Sequence, residues 1–336
     1  MRSSKSREWE LGLAIEAVAR ACELCREVQE LAVSQPLEKS DRSPVTIADL
    51  AAQALIISEI RNVFPDDPVL AEEDASALLD PANALLSAQV LAYAQRYLPS
   101  LTPDGLLAML ESGRANAAGE PHYWVLDPLD GTKGFLRGGQ YAVALALIER
   151  GSVVLGVLGC PSLPVRGTDL DSERGCLFFA THGGGAHCRP LDDRESWRIQ
   201  VDDLGDPARA VFCESVESGH SSHDVSARIA ERLAIQRPPL RIDSQCKYAA
   251  VARGDASIYL RLPTRAGYEE KVWDHAAGCL VVTEAGGRAT DLAGTPLDFA
   301  AGPTLANNRG LVVTNGKLHD LVLAAAQAVV SEPPPH

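Results

Sequence analysis

Tyr123-Trp124-Val125-Leu126-Asp127-Pro128-Leu129-Asp130-Gly131-Thr132-Lys133-Gly134-Phe135 is an apolar run of strand character that stops at two aspartates three residues apart. Pro128 fixes its own φ and carries no N–H, so the chain cannot simply continue as a ladder strand. A turn there can aim both carboxylates, and the carbonyl between them, into one small volume. Hard divalent cations such as Mg²⁺ prefer oxygen ligands of this kind. Gly131 and Thr132 then offer backbone N–H groups and a hydroxyl where a helix could begin, a natural seat for a phosphate. A buried strand rarely ends in two acids around a proline unless something cationic meets them.

Three further acid clusters lie beside strand ends or helix starts. Glu72 and Glu73 close the short apolar run Val69-Leu70-Ala71; taken alone, they also read as a solvated loop. Asp274 sits in Val272-Trp273-Asp274-His275-Ala276-Ala277-Gly278, where it could be the N-cap of an apolar helix. Asp49 falls in the first turn of a helix that begins near residue 47, a favourable place for an acid in the helix dipole. Together the four clusters suit metal-assisted hydrolysis of a phosphate ester. In that chemistry two cations about 3.5–4 Å apart activate a water and stabilise the leaving alkoxide. A group to orient or deprotonate the water is also needed, and Asp49 and Thr132 are the candidates.

Around these motifs the chain reads as α/β. Helical spacing of Leu11, Ala14, Ile15, Val18, Cys22, Cys25, Val28 and Leu31 predicts a helix over 8–33, and a second spans 47–63. Residues 76–119 read as Ala- and Leu-rich helical pieces with Pro and Gly breaks, a lid or simply packing, with packing the favoured reading. Strands are predicted at 122–127, 140–149, 152–160, 176–181 and 196–201, with Arg150-Gly151 as a hairpin turn. Beyond Asp202-Asp203-Leu204-Gly205-Asp206-Pro207, strands at 209–214, 239–243, 256–261 and 311–314 alternate with helices at 224–234, 245–253, 274–285 and 317–331. The expected organisation is an N-terminal half over 1–205 with most of the acids, a C-terminal half over 206–331, and a disordered tail at 332–336.

The 336 residues carry 31 Lys and Arg against 45 Asp and Glu, a net charge of −14. Such a surface argues against nucleic-acid polymers and anionic membranes as partners. A small phosphorylated substrate is not excluded, because a bound cation reverses the local field. The eight cysteines lie mostly among apolar neighbours and read as reduced thiols of a cytoplasmic protein. Cys22 and Cys25 form a C-x-x-C, but in a helical pattern, where packing at i,i+3 explains them better than redox or zinc chemistry. No signal peptide or membrane span is expected.

These motifs resemble a family. SPVTIAD (43–49), AEED (71–74), WVLDPLDGTKGF (124–135) and VWDHAAG (272–278) are similar to the lithium-sensitive, magnesium-dependent phosphatases of the inositol monophosphatase superfamily. Within it, LGCPSLP (158–164), ESVESGHSSHD (214–224), IDSQCKYAAVARGDASIYLRLP (242–263), YEEKVWDHAAG (268–278), EAGG (284–287) and PLDF (296–299) look most like the 3'(2'),5'-bisphosphate nucleotidases. The resemblance implies a layered αβαβα sandwich of the inositol monophosphatase and fructose-1,6-bisphosphatase type. It implies two or three Mg²⁺ ions on Glu72, Asp127, Asp130, Asp274 and the Leu129 carbonyl, with Asp49 and Thr132 as the catalytic pair. For the nucleotide it implies Thr132, His220, Ser244, Lys247, Arg261 and Asp274. The implied activity is hydrolysis of 3'-phosphoadenosine 5'-phosphate to AMP, with 3'-phosphoadenylyl sulfate as a further substrate, by a Li⁺-sensitive monomer acting in sulfur metabolism. An inositol phosphate phosphatase would share every metal ligand, and a non-catalytic nucleotide sensor would lack one of the acids or Thr132. One departure stands out: Ala71 replaces the usual Gly, which would constrain the backbone if φ were positive there.

Overall fold

The computed structural model of the protein describes residues 4–34, 43–115, 119–168, 172–216, 223–263 and 267–332. The expected disordered tail therefore lies almost wholly outside the described residues. Two long helices, α1 (Ser4–Ser34) and α2 (Ser43–Val63), precede β1 (Val69–Ala71), and three shorter ones follow: α3 (Ser76–Leu79), α4 (Ala84–Tyr97) and α5 (Pro103–Ser112). Next come β2 (His122–Asp130), α6 (Thr132–Leu136), β3 (Ala142–Glu149), β4 (Ser152–Pro164), β5 (Arg174–Thr181), β6 (Gly185–Pro190) and β7 (Trp197–Arg198). β1 to β7 form one seven-stranded sheet in chain order, with β1 parallel to β2 and the later pairs antiparallel. The remainder is β8 (Phe212–Glu214), α7 (His223–Arg232), β9 (Leu240–Arg241), α8 (Cys246–Arg253), β10 (Ile258–Arg261), α9 (Ala276–Glu284), β11 (Arg288–Thr290), β12 (Leu311–Thr314) and α10 (His319–Ser331). Its five strands make a second sheet in the order β11-β12-β10-β8-β9.

The layering follows from strand alternation. Trp124 and Leu126 of β2, with Val143, Leu145 and Leu147 of β3, face a core shared with α1 and α2. Their neighbours Tyr123, Val125, Ala144 and Ala146 point the other way, towards α8 and α9. From the second sheet, Tyr259, Leu311 and Val313 enter this same middle layer, while Ile258, Leu260 and Val312 meet α7 and α10. Helices, sheet, helices, sheet, helices: the α/β class takes the form of an αβαβα sandwich. Strands buried on both faces explain why Ala142-Val143-Ala144-Leu145-Ala146-Leu147-Ile148 is a continuous apolar run rather than an alternating one. β4 is gripped from both sides. A Cβ on Gly156 would lie 2.9 Å from the Ala277 carbonyl of α9, and one on Gly159 would collide with the Cys22 Sγ of α1.

Several boundaries differ from those the sequence predicts. β2 runs on through Pro128, and the ladder absorbs it as a bulge: Asp127 pairs with Ala144 and Asp130 with Ala142, three steps against two. α2 starts at Ser43, so Asp49 lies in its second turn and not in its first. β6 and the three-residue β11 have no counterpart among the predicted strands. The predicted strands at 209–214 and 239–243 shrink to Phe212–Glu214 and Leu240–Arg241. Arg150 and Gly151 have φ of 50° and 77°, the twist that a two-residue hairpin requires. Val90 and Ala94 of α4 and Leu106 and Leu110 of α5 pack into the core of α1 and α2. Ala71 is not among the residues with positive φ, and its methyl group faces Gly113, where a Cβ would crowd it at 3.1 Å. The backbone constraint foreseen for Ala71 is therefore absent.

All eight cysteines are buried free thiols. Cys22 and Cys25 are fully enclosed in the α1–α2 core, and burial pushes both thiols up, which suits packing and not redox or zinc chemistry. Among the described residues no helix is long and apolar enough to cross a membrane. The grip on β4 gives the first test. Gly159→Ala should cost about 1–3 kcal/mol in urea unfolding, as overpacked cores do, and Cys22→Ala in the same background should recover part of it. An unchanged unfolding midpoint for Gly159→Ala would contradict the packing.

Candidate active site

The bulge in β2 sets the site. It turns Asp127 and Asp130 towards the same cleft, and the Leu129 N–H donates to Asp127 Oδ1 at 3.2 Å, tightening the turn. β1 lies parallel to β2, and the Glu72 N–H donates to the Leu126 carbonyl at 3.1 Å, which brings Glu72 beside Asp127. The second glutamate is held from α2: buried Gln53 donates to the Glu73 carbonyl at 2.7 Å and accepts from the Glu73 N–H at 3.1 Å. Asp49 lies four residues before Gln53 on the same helix, so α2 presents both to this acidic turn.

The opposite wall comes from the second half of the chain. Ser244 adopts φ of 63°, in the left-handed region that a serine tolerates only under constraint. It meets Gly131, itself at φ of 100°, so closely that a Cβ on Gly131 would lie 2.8 Å from the Ser244 Cβ. The next N–H, that of Gln245, donates to Asp130 Oδ2 at 2.6 Å. Lys247 on α8, Arg261 at the end of β10 and Asp274 just before α9 complete a cleft of about 550 Å³. Thr132, at the start of α6, opens onto it, but α6 has only five residues, too few for a strong dipole at its N-terminus. Asp49 is buried below, and among the described residues no hydrogen bond joins it to Thr132. His220 lies outside the described residues.

Asp274 is not the N-cap of α9. His275 holds that position without a side-chain cap, and Asp274 Oδ2 instead meets Arg261 Nη2 at 3.0 Å. Gln245 lies within DSQCKY, but nothing in its local spacing singles it out. Its Nε2 donates to the Trp273 carbonyl at 3.1 Å and reaches Asp127 Oδ2 at 3.5 Å, while its buried Oε1 has no partner. Glu270 was missed as well, since acids in a run such as Tyr268-Glu269-Glu270-Lys271 normally read as surface. So was Asp243, which pairs with Arg137 and accepts from the Val216 N–H at 3.1 Å.

The acids oppose one another. Burial, then Asp274 and Glu73, push Glu72 from 4.5 up to about 8. Burial, then Glu72 and Asp130, hold Asp127 well above the usual carboxylate range. Asp130 is raised by burial and Asp274, against the pull of Lys247. Asp49 is likewise raised, by burial and then by Glu73 and Glu72. Lys247 is lowered by burial, which Asp130 partly offsets, and its Nζ sits 5.3 Å from the centre of the Tyr259 ring. Asp274 is paired with Arg261, but among the described residues no ion pair engages Glu72, Asp127 or Asp49, and oxygen donors this crowded fit a hard divalent ion.

Sequence comparison matches residues 7–331 to the inositol monophosphatase family. The chain belongs to that family. Proteins named 3'(2'),5'-bisphosphate nucleotidase are similar along nearly the whole length of this family member: one from Emericella nidulans is 43% identical, covering 97% of this chain and 99% of its own. The nucleotidase 1 of Arabidopsis thaliana is 43% identical, covering 97% of each chain. Among solved structures, the IMPase of Thermotoga maritima superposes with a TM-score of 0.63 at 23% identity, over 96% of this chain and 98% of that one. The inositol monophosphatase of an Anabaena species gives a TM-score of 0.62 at 22% identity, covering 98% of each. These two confirm the sandwich.

The crowding has a pH signature in the metal-free protein. A carboxyl whose pKa is higher when folded keeps its proton while the unfolded chain has lost it, so stability falls as pH rises, up to the folded value. Buried His319, held down to about 4 from its ordinary 6.5, adds the opposite trend only below 6.5. Between pH 6.5 and about 8, Tm in chelator should therefore fall, and Glu72→Gln should flatten the fall. A Tm that rises across this window in chelator would contradict the cluster.

Proposed function

We propose that the protein is a Mg²⁺-dependent phosphomonoesterase that hydrolyses 3'-phosphoadenosine 5'-phosphate to AMP and phosphate, and also removes the 3'-phosphate of 3'-phosphoadenylyl sulfate. The observation that carries this reading is the pairing, in one cleft, of crowded acids with two cations, buried Lys247 and half-buried Arg261. A phosphate that leaves needs metal; a phosphate that stays needs a fixed cation. The names of relatives at 43% identity support the same substrate.

Glu72, Asp127, Asp130, Asp274 and the Leu129 carbonyl would hold the ions. Bound there, Mg²⁺ supplies a polarised phosphate, an activated water and a stabilised leaving oxygen. The chain does the rest. Thr132 Oγ1 orients the water at the mouth of the cleft, and buried Asp49 is the acceptor for its proton. Ser244 and His220 address the nucleoside, and Lys247 and Arg261 its charge. The half over 1–205 contributes the water site and most metal ligands, the half over 206–331 the nucleotide contacts. Free thiols support a cytoplasmic setting and an acidic surface the absence of nucleic-acid and membrane partners, while the monomer rests on the family resemblance alone.

Phosphate release from the bisphosphate nucleotide should require Mg²⁺ and be inhibited by millimolar Li⁺. Asp127→Asn should lower kcat/KM by roughly a thousandfold, the several kcal/mol that a Lewis acid supplies. Comparing kcat/KM on this nucleotide with that on inositol 1,4-bisphosphate and inositol 1-phosphate decides the substrate. Preference for an inositol would replace the nucleotide reading, and tight binding without turnover would make the protein a sensor.

A further inference from the structure

Arg261 is fixed along one edge only. Its Nε meets Glu270 Oε2 at 2.8 Å, and its Nη2 meets Asp274 Oδ2 at 3.0 Å and the Tyr268 hydroxyl at 3.5 Å. No hydrogen bond or ion pair among the described residues engages Nη1, the end of the fork left for a ligand in the cleft. Of the two carboxylates, Asp274 belongs to the proposed metal set, so a bound ion competes for it. Glu270 does not line the cleft, and it is the anchor that remains.

Glu270 is itself anchored from the core. His275, fully buried, approaches Glu270 Oε2 with Nε2 at 3.3 Å, and its Nδ1 lies 2.7 Å from the Tyr248 hydroxyl. Tyr248 packs against α9 only because position 278 is glycine; a Cβ there would run into the tyrosine ring. The ring also stacks edge-on with Tyr259, with centroids 5.2 Å apart, on the strand that ends in Arg261. A row of buried side chains, Tyr248, His275 and Glu270, thus leads from the middle layer to the guanidinium.

We propose that Glu270, braced by His275 and Tyr248, is the positioning residue that holds Arg261 for the phosphate the reaction leaves behind, the one retained in AMP. This rests on the nucleotide reading above. The departing phosphate is served by the acid cluster and its ions. The retained phosphate does not change its charge during the reaction, so the group that holds it contributes binding and not rate. A half-buried guanidinium held by Glu270 offers that phosphate a preformed donor pair, without the rotamer cost of a free arginine.

The test separates binding from chemistry. Glu270→Gln keeps the shape of the side chain and removes its charge. In the Mg²⁺-loaded enzyme it should weaken AMP binding, measured by calorimetry, roughly tenfold, the loss of one charge-assisted contact. KM for the bisphosphate nucleotide should rise in step, while kcat stays within about twofold. Tyr248→Phe, which deletes only a hydroxyl, should shift AMP affinity in the same direction by less. Unchanged AMP affinity in Glu270→Gln, or a kcat that falls as far as affinity, would overturn the assignment. A wild-type protein that hydrolyses inositol phosphates and binds no AMP would instead overturn the nucleotide reading, and the anchor with it.

Discussion

Several carboxylates that would separate if they could are held in one place: Glu72, Asp127 and Asp130 share the cleft with Asp274. In water such groups drift apart. Here the backbone forbids it, because Glu72 is tied to the Leu126 carbonyl, Asp127 to its own turn and Asp130 to the Gln245 N–H. The repulsion is then borne by the whole sandwich, in shifted proton affinities, until a cation arrives. Much of the surrounding architecture can be understood as support for that arrangement. The parallel β1, the bulge around Pro128, the left-handed Ser244 and the bidentate Gln53 each hold an acid or its neighbour in position.

The support is divided between the two sheets. β1 and β2 bring the acids, while α8, β10 and the segment before α9 bring the cations and one more acid. The contact between Gly131 and Ser244 is where the walls touch, and it leaves no room for a side chain. A ligand that spans the cleft therefore adds its binding energy to the cohesion of the two sheets.

Much of this could be read in the chain beforehand. DPLDGT is legible because acids after an apolar strand contradict ordinary burial, and contradictions of that kind mark function. The helices α1 and α2 are legible because they are long and periodic, and the strands β3 and β4 because they are long apolar runs joined by the Arg150-Gly151 turn. The layers follow from the run of both-faces-buried residues in β3. Short or polar elements were less legible: β6 and the three-residue β11 have no counterpart among the predicted strands, and β9 is shorter than predicted. Partners were less legible than ligands. That Asp274 faces Arg261 rather than capping its helix depends on β10, far away in sequence, as does the anchoring of Arg261 by Glu270. Local spacing carries no trace of either contact.

The burial of every cysteine has a further consequence. Cys22 and Cys25 lie in the first helical layer, Cys160, Cys176 and Cys188 on the first sheet, Cys213 on the second, and Cys246 and Cys279 in the helices between them. None is reachable while the layers are closed. Each of these four layers thus carries its own chemical clock: the rate at which a small alkylating reagent reaches a given thiol reports how often that layer opens. Peptide mapping of the labelled positions would turn the native molecule into a record of its own partial unfolding, without a single added probe.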